Sequence, residues 1–380
     1  MKNLLPKTWQ FDTKNITTDT NEKWLIPPIV DLCARLNKFG DGTSFTHECQ
    51  TAIKNGILHV CTPPDDGAVR ESSSLLKEVR EKAANHGLNL HMLGALTQGL
   101  KGEKLANIAD IKAGGAIGVS NARFAFANDE VLLRALEYAK AFDIKVFFYP
   151  DEPSLSKGVA HDGYIASYHG LAGIPWLAET VALAKQILMV EETGICAHFS
   201  QLTCRTSVDL VRFGKARGLP ITCDVAMHQL FLTDDDIEGY NANAHVYPPL
   251  RSNTDQRALR QGLADGTIDA ICSHHEPLSS TDKLMPFAES VAGISNFDTF
   301  VSLACQLVAD GVLTDTQLVE KICLNPANIA GITDYEQIGG AVLIDPNQAW
   351  QVTKQSILSK GKNTPFLGDE LFGKVVQTFF

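Results

Sequence analysis

The chain is expected to fold as a (β/α)8 barrel, and three observations carry that expectation. Short β-rich apolar runs alternate with longer helical patterns from residue 25 onward, the signature of βα units around a parallel sheet. Eight such runs can be counted. They fill roughly 250 residues, the usual extent of an eightfold barrel.

In order, the runs are Ile26 to Ala34, Gly56 to Thr62, Leu88 to Thr97, Ala116 to Asn121, Lys145 to Asp151, Ile195 to Ser200, Ile221 to His228 and Ile268 to His275. Between them, Ser73 to Asn85, Asp129 to Ala141, Ile174 to Thr193, Arg205 to Arg217 and Asn253 to Ala264 carry apolar residues at helical spacing, so each can cover a sheet face. A doubly wound sheet is the competing arrangement, but no Gly-rich phosphate loop follows the first run. The barrel is expected over 25–338. Residues 1–24 are polar and weakly periodic, while 339–380 is rich in Gly, Asn and β-formers with Asp-Pro and Gly-Asp turn signals. These two ends are expected to form a small accessory β region.

The chain has 380 residues, 44% of them apolar and 20% charged, enough for one large core. Its net charge of -11 argues against a broad nucleic-acid surface, which requires a basic face. Nine cysteines without CxxC pairs fit reduced thiols better than a disulfide framework. No signal-peptide pattern and no apolar run of membrane-spanning length stands in the sequence. The expectation is a cytoplasmic protein with neither nucleic-acid nor membrane partners.

In a barrel, chemistry sits at the C-terminal ends of the strands. Those tips read Cys33 and Arg35, then Asn121, Tyr149 with Asp151, His198, His228, and finally His274 with His275. A lone His at a strand end is more often a hydrogen-bonded structural residue than a ligand. Three successive His-bearing tips shift the balance toward a site, or toward what remains of one.

At these residues the chain resembles the dihydroorotases of the long, cyclic-amidohydrolase type. The shared scaffold includes Ala135-Leu136-Glu137-Tyr138-Ala139-Lys140, Gly173-Ile174-Pro175, Ala197-His198-Phe199-Ser200 and Leu232-Thr233-Asp234. It continues through Pro248-Pro249-Leu250-Arg251, Asp265-Gly266-Thr267-Ile268-Asp269, Gly293-Ile294-Ser295 and Asn363-Thr364-Pro365-Phe366 with Gly368. The resemblance implies an amidohydrolase-type barrel, and it also exposes departures. The family's Asp-x-His-x-His-x-Arg on the first strand, whose histidines hold metal and whose arginine holds the substrate carboxylate, stands here as Asp31, Cys33, Arg35 and Asn37. Its Asp-Asp-Gly after the fourth strand is Asn121-Ala122-Arg123, and its His-x-Glu-Asp-Pro becomes Tyr149-Pro150-Asp151-Glu152-Pro153. Its Thr-Asp-His-Ala-Pro-His on the eighth strand is Ser273-His274-His275-Glu276-Pro277-Leu278, and its substrate-binding Asn is Tyr247. Only His198 and His228 stand at family ligand positions.

Ring opening of a dihydropyrimidine by this family uses a metal to activate water and a carboxylate to shuttle the proton. Arg35 cannot ligate a metal, and two histidines fall short of the three protein ligands a catalytic zinc normally keeps. These losses lead to the expectation of an inert barrel, not an enzyme, with no cofactor. Tyr149 and Tyr247 would fill the old cavity, Arg35 would pair with Asp151 or Glu276, and Cys33 would be a buried small hydrophobe. Because inactive chains of this family accompany aspartate transcarbamoylase, the resemblance implies that enzyme's catalytic chain as partner, with homo-oligomeric contacts. The alternatives are an active hydrolase of cyclic amides with zinc on a rearranged set of His198, His228 and His274, or an anion-binding module using Arg35 and Arg123.

Overall fold

The structure, a computed structural model, describes residues 1–13, 16, 18–37 and 42–380. The eight apolar runs become eight parallel strands: Ile29–Asp31, Ile57–Thr62, Asn89–Ala95, Gly118–Ser120, Val146–Phe148, Ala197–Phe199, Ile221–Ala226 and Ala270–Cys272. They lie side by side in sequence order. The sheet closes on itself at the tips, where the Arg35 N–H donates to the His275 carbonyl at 2.8 Å and the Ser273 N–H donates to Asp31 Oδ1 at 2.7 Å. The barrel expectation holds, and the doubly wound alternative is excluded by that closure.

Most of the strands are buried at every position, which is why they read as continuous apolar runs and not as alternating ones. The helices cover them with one apolar stripe each. In Asp129–Ala141 the buried residues are Leu132, Ala135, Leu136 and Ala139, the i, i+3, i+4, i+7 spacing of a single face. That helix starts where Asn128 Oδ1 accepts the Val131 N–H at 2.9 Å, with Asp129 and Glu130 in the first turn complementing the dipole. Each fully buried Leu in such a stripe contributes about 2 kcal/mol of transfer free energy.

The first run departs from expectation, because it divides. Trp24–Ile26 leaves the barrel and pairs antiparallel with Ala341–Gln351, and only Ile29–Asp31 joins the barrel, beside Ile57–Thr62. The break falls at Pro27-Pro28, which lack the N–H groups a ladder needs and fix φ. Two more strands, Lys2–Asn3 and Glu370–Phe379, complete a four-stranded terminal sheet. Its last strand lies on helix Phe297–Ala309, where Gly373 at φ 107° lets the backbone come so close that a Cβ would stand 2.8 Å from Cys305 Sγ. The Ser302 hydroxyl donates to the Gly373 carbonyl there. Among the described residues, no helix is long and apolar enough to cross a membrane.

Candidate active site at the barrel mouth

The tips of the first and eighth strands are joined by charge. Arg35 is buried, donates from Nη1 to Glu276, and donates from Nη2 to both oxygens of Asp65 at 2.9 and 3.0 Å. Glu276 also faces Arg123, 3.3 Å away. Burial alone would raise the Glu276 carboxyl, but the two guanidiniums hold it well below the usual carboxylate range. The expected Arg35–Glu276 pair is therefore present. Asp151 is not its partner; the second anion is Asp65, from the loop after the second strand.

Cys33 is buried beneath this cluster, with its Sγ 3.5 Å from the Tyr149 hydroxyl and accepting from Gln201 Nε2 at 2.9 Å. Burial pushes its thiol up to about 12, so it is not a nucleophilic thiolate at neutral pH. Asn37 stands at the edge, its N–H donating to Asp66 Oδ1 at 2.9 Å.

The histidines do not converge as one set. His198 is sealed, its Nδ1 2.8 Å from the Thr222 hydroxyl and its Nε2 2.9 Å from Asp224 Oδ2. His228 Nδ1 meets the Asn296 amide at 3.1 Å, and its ring stacks on His274 with centroids 5.5 Å apart. Arg123 Nη2 lies 2.5 Å from His274 Nε2. Burial lowers His228 well below its ordinary value and His274 to about 4, so both imidazoles are neutral. His275 is structural: it faces Glu48 at 3.2 Å and stacks on Phe297 at 3.8 Å.

The tips of the fourth and fifth strands are arranged differently. Asn121 is spent on the loop, accepting from the Thr97 hydroxyl at 2.5 Å and donating to the Phe124 carbonyl at 2.9 Å. The Tyr247 hydroxyl donates to Asp151 Oδ2 at 2.5 Å, and Arg123 lies over the Tyr247 ring at 5.5 Å. Burial raises the Asp151 carboxyl, with only partial relief from Tyr247 and Arg123. Tyr149 and Tyr247 do fill the mouth, leaving about 20 Å³ between Arg123, Asp151, Gln201 and Tyr247, about one water. A groove of about 330 Å³ opens on the other side of Arg123, Tyr149 and Asp151, running toward helix Leu177–Thr193.

Does a metal of the family's kind fit here? His228 Nε2 and His274 Nδ1 are buried without a partner, which would suit ligation. Yet both His198 nitrogens are engaged, a guanidinium abuts His274, and Cys33 Sγ is occupied by the Gln201 amide and the Tyr149 hydroxyl. Among the described residues, no three His, Cys, Asp or Glu side chains group closely enough to hold an ion. The residues as arranged do not fit a metal, and the rearranged set of His198, His228 and His274 is not assembled.

Asp224, Asp65, Gln201 and Asn296 belong to the site and escaped sequence reading. Asp224 left a signal: an Asp inside the apolar strand Ile221–Ala226, on the same face as Thr222 by period-2 alternation. Thr222 is the register partner of His198. The other three lie on connecting segments, where no periodicity points to them.

A closed eight-stranded parallel barrel with its polar residues gathered at the strand tips and a side sheet built from both termini is the fold that hydantoinases and dihydropyrimidinases share. L-Hydantoinase from Arthrobacter aurescens shares that fold with a TM-score of 0.82 at 20% identity, over 97% of this chain and 87% of its own. The inactive dihydroorotase-like domain of a Chaetomium thermophilum CAD-like multifunctional protein superposes with a TM-score of 0.66 at 21% identity, over 94% of this chain and 93% of that one. A family model described as Dihydro-orotase-like matches residues 22–207. A dihydroorotase-like protein of Pseudomonas aeruginosa is 40% identical over 93% of this chain and 85% of its own length, and a dihydroorotase of Geobacter sp. strain M21 is 37% identical over 87% and 79%. The chain belongs to the dihydroorotase-like family. The expectation of a non-enzyme is corrected by these relatives: chains this similar carry the name dihydroorotase, and the lost motifs alone do not set this chain outside that group.

Proposed function

We propose that the chain is a hydrolase of a small cyclic amide bearing a carboxylate, of the dihydroorotate class, working at the tips of the fourth and fifth strands. The observation that carries this reading is that Arg123, Tyr149 and Asp151 line both the groove and the mouth. They set a guanidinium beside a carboxyl group whose pKa is raised. The names of the relatives at 35 to 37% identity support the reaction class.

Arg123 is the guanidinium able to receive a substrate carboxylate. Its side chain is 21% exposed against 4% for Arg35, and Glu276 keeps Arg35 when Arg123 turns away. Asp151, whose proton affinity burial raises, gives a proton to the departing ring nitrogen as water adds to the carbonyl carbon and the C–N bond breaks, and it recovers one from that water. Tyr247 holds Asp151 in place through its hydroxyl. The test is turnover of dihydroorotate and of carbamoyl aspartate by protein treated with chelator, and again with zinc added. Turnover that disappears in R123Q at unchanged melting temperature supports the reading. No turnover in either state overturns it.

One further observation favours a protein partner. Helix Leu177–Thr193 exposes Leu177, Val181 and Leu188, which with Ala184 follow the 4-3-4 spacing of a helix-pairing seam. We propose the catalytic chain of aspartate transcarbamoylase as that partner, as the family resemblance implies. Native mass measurement after co-expression should show one complex that L188E dissociates; two independently migrating proteins would remove the proposal.

A further inference from the structure

Two of the buried imidazoles at the mouth each end in a nitrogen that meets nothing. His228 Nε2 and His274 Nδ1 have no hydrogen-bond partner among the described residues, although the two residues are only 0% and 1% exposed. Buried polar atoms are nearly always paired, so an unpaired one calls for an explanation.

What those nitrogens carry follows from the partners on the other side of each ring. Asn296 Nδ2 lies 2.8 Å from the Ser273 carbonyl, which can only accept. The nitrogen end of that amide is thereby fixed, and its other N–H goes to His228 Nδ1 at 3.1 Å. On His274, Nε2 lies 2.5 Å from Arg123 Nη2, and a guanidinium can only donate. Glu276 Oε1 is 3.7 Å from the same Nε2, too far to take a hydrogen from it. Each ring therefore accepts at its bonded nitrogen, and burial disfavours a second proton on either. The one ring hydrogen of each then stands on the free nitrogen. Both free positions are N–H donors, not the lone pairs a metal would need.

The fold holds the two donors in place. The rings stack with centroids 5.5 Å apart. His274 stands at φ 51°, a left-handed conformation that residues with a Cβ rarely adopt. It is pinned from both sides, because the Ser273 N–H donates to Asp31 Oδ1 at 2.7 Å and the His275 N–H donates to the Ser273 hydroxyl oxygen at 3.0 Å. Strain of this kind persists only where the surroundings over-determine it, and it gathers at ligand sites. Arg123 adds a third donor, since its Nε is also buried without a partner.

We infer that His228 and His274 form an oxyanion site, in which the two imidazole N–H groups, with Arg123 beside them, bind an anionic oxygen. The binding stands apart from the hydrolase reading; the catalytic role rests on it. In that role, as water adds to the carbonyl carbon, the electron pair of the C=O bond moves onto the oxygen, which the two N–H groups stabilise. That pair re-forms the carbonyl as the C–N pair leaves with the nitrogen, which takes its proton from Asp151.

Nitrogen NMR of the full chain with isotope-labelled histidines tests this, with formate, the smallest carboxylate, as the probe. Expected are a hydrogen on His228 Nε2 and on His274 Nδ1, movement of both signals on addition of formate, and formate binding about tenfold weaker in H228F. The opposite tautomer on either ring, or signals that formate leaves in place, overturns the site whether or not dihydroorotate is turned over. Movement of both signals without any turnover supports the site and removes the hydrolase reading. Where turnover is found, H228F at unchanged melting temperature should lose about 100-fold in kcat with KM kept, the mark of a group that acts only as charge develops; full kcat there overturns the catalytic role. Should H228F fail to fold, the titration of the wild-type chain decides the site by the same two outcomes.

Discussion

Glu276 at the tip of the eighth strand and Asp151 beyond the fifth are both withdrawn from water at one barrel mouth, yet their proton affinities move in opposite directions. Glu276 lies between two guanidiniums and stays ionised. Asp151 meets a phenol and only a distant share of Arg123, so burial raises it. The contrast separates two uses of a buried carboxylate: countercharge makes it part of the closure of the barrel, and lack of countercharge makes it able to exchange a proton. On the proposed reading, the seam between the first and eighth strands serves cohesion and the tips of the fourth and fifth serve chemistry.

Breaking the seam should have the largest effect. E276Q leaves Arg35 with Asp65 alone and removes the ion pair of Arg123, and uncompensated buried charge costs about 3 to 5 kcal/mol. Urea unfolding followed by far-ultraviolet circular dichroism should show that loss. Replacing Arg35 by Met in the same chain should restore part of it, because removing both charges is far cheaper than removing one. A loss below about 1 kcal/mol in E276Q would mean that the ion cluster does not hold the first and eighth tips together.

At the other region the same kind of substitution should spare the fold. D151N keeps an acceptor for the Tyr247 hydroxyl and replaces a carboxyl that burial already disfavours in its charged form, so stability should stay level or rise. Turnover of dihydroorotate should fall about 100-fold, the usual cost of losing a general acid. If Asp151 is the proton donor, turnover should decline as pH rises through its pKa, which burial moves upward, and D151N should lack that limb. D151N that unfolds like E276Q, or that keeps full turnover, would erase the distinction between the two regions.

The barrel itself was legible because periodicity and run length are local properties, and all eight strands sit within the runs that the sequence marks. The division of the first run was missed: Ile26 to Ala34 reads as one strand although Pro27-Pro28 breaks it, because the apolar character continues on both sides. The mouth was read only in part. Arg35 with Glu276 followed from the rule that a buried guanidinium needs an anion. Asp65, 30 residues away in sequence, offered no pattern to find it. Arg123 closing on His274 spans 151 residues, a distance over which composition and spacing carry no information. Pairings of this kind depend on which loops the closed barrel brings together.

Asp31 supplies a smaller test, since it lies in the cohesive seam but behaves like Asp151. It is fully buried, and desolvation raises it from 3.8 to about 6, against the bonds it accepts from Ser273 and Cys33. Between those two values the folded chain holds a proton that the unfolded chain has released. Stability contributed by this group is therefore full at low pH and is lost as pH rises through that window, by up to about 3 kcal/mol. Glu276 acts in the opposite sense, contributing above its ordinary value of 4.5 and losing that contribution as pH falls. In D31N the amide oxygen can still accept the Ser273 and Cys33 N–H groups, and the Ser273 hydroxyl can turn to the Cys33 carbonyl, 3.4 Å away. D31N should then gain about 1 to 2 kcal/mol at pH 7, less than the full shift because one acceptor is lost. It should also flatten the fall in urea midpoint between about pH 4 and pH 6.5 expected of the wild-type chain. If D31N instead loses stability at pH 7 with the slope unchanged, Asp31 is ionised in the folded chain, and its bonds to Ser273 outweigh the cost of burying its charge.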